Sequence, residues 1–259
     1  QTETSEVSDE PQTVKIDVRC RDKVYFAPNL PAEPSEWCAR FAGEVEITAF
    51  HEEREQDSLR CDFLYFYLDD PILKEGWEKY GASYKGKRKP TGKLFRLTPY
   101  RIRAIGTPER KSELQVGGGF FHAAGGEILC EIEKQRISLQ PLSDLFVPEE
   151  TTVANREEQV SLRYGGTNVV SDRIEFVYDP KTYGVLRASQ KGRLETDLPG
   201  DEPEHLTVRW NEQVKIAPIP DEPEHYSASF RGGVSAESDQ YGTLSAGAAD
   251  FWIQLRHDE

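Results

Sequence analysis

Apolar and polar residues alternate one by one along most of this chain. VKIDVRC (14–20), GEVEITAF (43–50), RIRAIG (101–106), EILCEIE (127–133), RISLQ (136–140), VSLRY (160–164), RIEFVY (173–178), LTVRW (206–210), VKIAP (214–218) and FWIQL (251–255) each set apolar side chains on one face and polar ones on the other. Successive side chains of a strand point to opposite faces, so a period of two describes half-buried β-strands. Between these runs stand turn clusters such as APNLPAEPSE (27–36), GTPER (106–110), YDPKTYG (178–184) and ESDQYG (237–242). Their Pro, Gly, Asp and Asn supply turn dihedrals that strands avoid. The fold class expected is all-β. Only 69–85, DDPILKEGWEKYGASYK, hints at a short helix.

The runs also resemble one another at longer range. SLRCDFLYFYL (58–68) and EILCEIEKQRISL (127–139) both place a cysteine before an acid, and TYGVLRAS (182–189) is echoed by QYGTLSAG (240–247). Such self-similarity predicts repeated β units, each burying its apolar edge against the next. Residues 1–13 are polar and acidic and read as a disordered tail. Structure is expected over 14–256, with sub-halves at 14–143 and 159–256.

Acids outnumber bases 46 to 32, for a net charge of −14. Phosphate backbones need a basic face, so the balance argues against a nucleic-acid partner. No run approaches the length of a membrane-spanning helix. The chain contains no Met, as expected of a trimmed segment that does not carry its targeting signal. Cys20, Cys38, Cys61 and Cys130 lack CxxC spacing, which argues against zinc and leaves disulfide pairing open.

The motif DEPEH occurs twice, at 201–205 and 221–225. Its acids and His205 or His225 could in principle serve as ligands, but the prolines and the strand that follows each copy favour turns. GGGFFHAAGG (117–126) has no GK[ST] and reads as a hairpin or bulge whose Phe120 and Phe121 cap the core. Lys85, Lys87, Arg88, Lys89 and Lys93 form the one basic run, either a solvated loop or a contact for an anionic headgroup. No catalytic signature places a base beside a nucleophile, and neither metal nor cofactor is expected.

Four phrases together resemble the repeat of the LptA/OstA (organic solvent tolerance) family. These are RIRAIGTPERKSELQVGGGFFHAAGGEILCEIEKQRISLQ, with its turn at Gly106 to Pro108, and NVVSDRIEFVYDPKTYGVLRASQKGRLE. The others are GEVEITAF with SLRCDFLYFYLDDP, and FRGGVSAESDQYGTLSAGAADFWIQL. The resemblance implies a folded antiparallel β-jelly-roll or β-taco built from repeated strand pairs. It also implies a periplasmic, non-enzymatic protein that holds the acyl chains of lipopolysaccharide or a similar glycolipid, and that joins head to tail through edge strands.

On that reading the groove residues are Val45, Ile47, Phe63, Tyr65, Ile102, Ala104, Ile128, Cys130, Ile132, Ile174, Phe176, Leu206, Val208, Trp210, Val214, Ile216, Phe251 and Ile253, with headgroup contacts from Lys85, Lys87, Arg88 and Lys89. The same alternation equally describes a plain core. Cys20, Cys61 and Cys130 are expected at like positions in successive layers. Two other readings stand beside lipid binding: a β scaffold that uses its edge strands for partners, and a carbohydrate-active enzyme with paired carboxylates.

Overall fold

A computed structural model describes residues 15–22, 24–28, 37–51, 54–68, 99–142, 159–179, 182, 184–198 and 204–254. The chain adopts the all-β, antiparallel class. Apart from a short 3-10 turn at Gly117–Gly119, the regular elements among the described residues are strands of one 16-stranded sheet.

Long strands alternate with pairs of short ones. β1 (Lys15–Arg19) and β2 (Val24–Pro28) share one edge of β3 (Trp37–His51), β1 on its second half and β2 on its first. β4 (Arg54–Leu68) runs along the other edge of β3. The far edge of β4 takes β6 (Ser112–Val116) on Ser58–Arg60 and β5 (Pro99–Ile105) on Phe63–Leu68.

β7 (Phe121–Gly125) and β8 (Glu127–Glu131) extend these two rows, followed by β10 (Val160–Tyr164) and β9 (Arg136–Gln140). β11 (Thr167–Val177) spans both rows again. β12 (Val185–Leu198) lies along it and carries β13 (Glu204–Trp210) and β14 (Gln213–Ile219). β15 (Glu222–Ser238) spans that pair, and β16 (Gly242–Gln254) ends the series.

Eight strands thereby close a ring, β10-β7-β6-β4-β5-β8-β9-β11 and back to β10. A second ring joins β12, β13, β15 and β14. In this closed barrel β4 and β11 each hold both rows on one edge while β3 or β12 occupies the other. The two rows form two walls of the barrel, and the bulges in the long strands mark a hinge line between them.

Every long strand must bend at that hinge, and extra residues make the bend. Gly43 and Glu44 bulge opposite Asp62, Gln190 and Lys191 opposite Asp172, and Gly232 and Gly233 opposite Gly247. A bulged residue re-aims the strand and resets the alternation beyond it. Gly43 and Gly232 sit at φ +77° and +83°, a region glycine enters without the steric cost a Cβ imposes. Gly126 alone separates β7 from β8; a Cβ there would stand 2.0 Å from the Leu142 backbone nitrogen.

The inward faces form continuous cross-strand rows. In one wall the register runs Val18, Ile47, Leu59, Leu114, Ala123, Leu162, Val169, Leu194, Val208, Ala236, Leu244. In the other it runs Phe41, Leu64, Ala104, Ile128, Leu139, Ile174, Ala188, Val214, Phe230, Ala249. The buried members join one hydrophobic cluster. Each fully buried Leu, Ile or Phe stabilises the fold by about 1.5–3 kcal/mol before chain entropy is counted.

Candidate functional site

The inner surface is the candidate site, and its depth varies with distance from the hinge. Val45, Ala104, Ile128, Ile174, Val208, Trp210 and Val214 are essentially inaccessible, and Phe176 is 9% exposed. Phe176 crosses between the walls, with its ring centroid 5.8 Å from that of Phe121 and 6.3 Å from that of Tyr164. Trp210 meets Phe230 at 5.6 Å. The interior is filled by the protein's own side chains near the hinge and, where Phe176 meets Phe121 and Tyr164, in the next row outward as well.

One row further from the hinge the surface is more open. Phe66, Ile102, Cys130, Ile137, Phe176, Leu186, Ile216, Ala228 and Phe251 are successive cross-strand neighbours. Of these, Ile102, Cys130, Ile137, Ile216 and Phe251 are only half-buried. Ile47 and Leu206 hold the same status in the opposite wall. A flexible apolar chain would meet this row before the closed one.

Three groove residues expected from the alternation are placed differently. Phe63 and Tyr65 point outward, because the bend at Asp62 shifts the phase of β4 and turns Leu64, 0% exposed, inward instead. The Arg40 guanidinium lies 5.4 Å from the Phe63 ring centroid and 5.5 Å from that of Tyr65. Ile132 lies in the turn after β8 and is 44% exposed, whereas Ile253 keeps the inner-face phase of Phe251 on β16 and is 38% exposed.

Cys61 and Cys130 do not share a row, contrary to the ladder expected of them. Cys61 is a neighbour of Val45 in one wall, Cys130 of Ile102 and Ile137 in the other, and Cys20, Cys61 and Cys130 are free thiols. Burial pushes the Cys61 and Cys130 thiols up to about 12, with Asp62 adding to the effect at Cys61.

The two DEPEH copies open different walls. Glu204 and His205 begin β13, whereas Asp221 occupies a turn at φ +65° and Glu222 begins β15. His205 contacts Asp197 at 3.1 Å and His225 contacts Glu222 at 3.4 Å, so each histidine has a local acidic partner. Among the described residues no group of His, Cys, Asp and Glu could hold a metal ion. Phe121 enters the core as expected of a cap, but Phe120 stays 56% exposed against the Tyr164 ring. The headgroup candidates Lys85, Lys87, Arg88 and Lys89, with Lys93, lie outside the described residues, as do the tail and the helical hint at 69–85.

Sequence reasoning passed over Phe41, Leu59, Leu64, Leu114, Ala123, Leu139, Leu162, Val169, Leu194 and Phe230, all members of the inner rows. The available signal was the glycine or acid beside each phase change, as at Gly43, Asp62 and Gly232–Gly233. It also passed over a group of basic residues on the outer face of β11, β12, β14 and β15, where Arg173, Arg187, Lys215 and Arg231 surround a concavity of about 540 Å³.

No protein-family model matches the chain, and a search of curated proteins finds none that matches it.

Proposed function

We propose that this protein is a non-enzymatic lipid carrier of the LptA/OstA kind, a folded β stack open along one side in the manner of a taco. It holds the acyl chains of lipopolysaccharide or a similar glycolipid, in the periplasm, on their way to the outer membrane. The observation that carries this reading is the inner apolar surface, continuous from one strand to the next and, among the described residues, exposed toward both ends. Val24 at one end is 56% exposed, and Leu244 and Ile253 at the other are 49% and 38% exposed. Apolar area left open in this way gains free energy when an acyl chain or another apolar surface covers it.

The half-buried row of Ile102, Ile137, Ile216 and Phe251 is where an acyl chain would lie, since the deeper rows are already closed. Photo-crosslinkers at Ile137 and Ile216, with one at Arg209 on the outer face as a control, test this against a lipid A-type glycolipid. Crosslinks at the first two sites and not the third are the expected result. No co-purified lipid and no crosslink at either inner site would reject the carrier reading.

One observation favours a second reading. Phe121 and Phe176 join the walls, as a scaffold with a filled interior requires, and Trp252 on the terminal strand β16 is 75% exposed. An unpaired strand edge bordered by apolar side chains can accept another strand. Concentration-dependent filaments that form without lipid uptake are the result that would select this alternative.

A further inference from the structure

The outer face of the second wall carries an arrangement that the acyl-chain reading does not use. Cross-strand register places Ser189 between Arg173 and Gln213, and Gln213 beside Arg231. In the next row outward from the hinge, Glu175, Arg187, Lys215, Ser229 and Asp250 are successive neighbours. Arg173, Arg187, Lys215 and Arg231 therefore ring a floor made by the Ser189 hydroxyl and the Gln213 amide. These groups, together with the Glu175 carboxylate and Ser229, line the concavity of about 540 Å³.

The charge in this ring is incompletely balanced. Glu175 serves both Arg136, at 3.4 Å, and Arg187, at 3.3 Å. Arg231 is held by Asp250 at 2.9 Å. Among the described residues no acid lies within ion-pairing distance of Arg173 or Lys215. Arg187 and Lys215 are direct cross-strand neighbours, and like charges so placed destabilise a sheet. In a chain of net charge −14 this concentration of cations runs against the overall balance.

We propose that this concavity is a binding site for a phosphate group, with Lys215 and Arg173 as its principal charges, Arg187 and Arg231 at its sides, and Ser189 and Gln213 as neutral hydrogen-bonding groups beneath. A phosphate dianion matches the ring in sign. Its several acceptor oxygens suit donors arriving from different strands, and guanidinium groups bind it through paired hydrogen bonds. The site lies on the opposite side of the wall from the acyl-chain surface and stands independently of it.

The test is an amide NMR titration of the intact chain with inorganic phosphate at fixed ionic strength, using chloride as the control anion. Saturable shifts centred on Ser189, Gln213 and Lys215 are expected, and they should weaken at least tenfold in affinity in the double variant Arg173→Gln, Lys215→Gln. Arg209→Gln, on the other wall, should leave the affinity unchanged. A second arm compares phosphatidylcholine vesicles with and without phosphatidic acid. Vesicle binding lost in the double variant identifies a lipid headgroup as the source of the phosphate, and phosphate binding without vesicle binding identifies a soluble one. The proposal is overturned if neither probe binds, or if both bind the double variant as well as the parent.

Discussion

Arg103 holds Glu127 through two hydrogen bonds, Nε to Oε1 at 2.8 Å and Nη2 to Oε2 at 2.9 Å, with the Glu127 side chain 4% exposed. The carboxylate sits on β8 beside the hinge, opposite Ile105, so its charge is withdrawn from water by the fold itself. Hydrogen bonding to Glu127 is also the largest cause of the raised pKa of Arg103. Removing the carboxylate leaves Arg103, 30% exposed and still bonded to Tyr67, only partly compensated. Glu127→Gln should therefore lower stability by about 1–3 kcal/mol. Urea unfolding of the two proteins measures this; a loss below about 1 kcal/mol would mean that water reaches the pair.

Phe176 ties the walls together through Phe121 and Tyr164. Phe176→Ala removes a buried ring and leaves a cavity that the neighbouring strands close only in part. The expected cost is about 3–5 kcal/mol. Thermal unfolding followed by circular dichroism provides the measurement. An unchanged midpoint would show that the walls do not depend on one another.

Gly192 has no room for a methyl group. A Cβ at this position would stand 2.4 Å from Trp210 Cζ2 and 2.6 Å from the Val170 carbonyl oxygen, and the backbone atom cannot swing aside. Gly192→Ala should destabilise by about 1–3 kcal/mol, the usual range for overpacking. The companion variant Trp210→Phe with Gly192→Ala relieves only the indole contact, so it should recover part of the loss and not all of it. Complete recovery would mean that the backbone contact at Val170 is harmless.

Period-two alternation made the all-β class legible, and it located the interior positions wherever a strand is short. Ile102 and Ala104 on β5, Ile128 on β8, and Val214 and Ile216 on β14 all fall on the inner face. It failed where a strand crosses the hinge. Cys61, Phe63 and Tyr65 stand at every second position of an almost wholly apolar run, yet the bend opposite Gly43–Glu44 turns Cys61 and Leu64 inward and sends Phe63 and Tyr65 out. A register change is set by which strands pair, and strand pairing is a tertiary property that a local pattern does not encode. The phosphate-site candidates were illegible for a related reason. Arg173, Arg187, Lys215 and Arg231 are far apart in sequence and meet only through the cross-strand register.

Cys61 is 1% exposed and its thiol is pushed up to about 12. Because the thiolate is the reactive form, this thiol should be inert at pH 8 while the protein is folded. Cys130, half-buried with its thiol also raised to about 12, should label slowly but faster than Cys61. Labelling with a maleimide followed by mass spectrometry should find Cys61 unmodified in the native protein, Cys130 modified in part, and both fully modified in denaturant. Rapid native labelling of Cys61 would place it on the surface.

The His205 Nδ1–H donates a hydrogen bond to Asp197 Oδ1 at 3.1 Å, and this contact raises its pKa above the ordinary imidazole value; the charges of Asp197, Glu195 and Asp239 act in the same direction. A folded-state pKa above the unfolded one means that the protonated ring favours the fold. The stabilisation is complete below the unfolded-state value of about 6.5 and is lost as pH rises through the folded one. NMR titration of the imidazole should give a midpoint above that of a model peptide, and Asp197→Asn should bring it back down. Stability in the variant should then vary less with pH across this window than in the parent. A midpoint at or below the peptide value would show that the contact between His205 and Asp197 does not persist in solution.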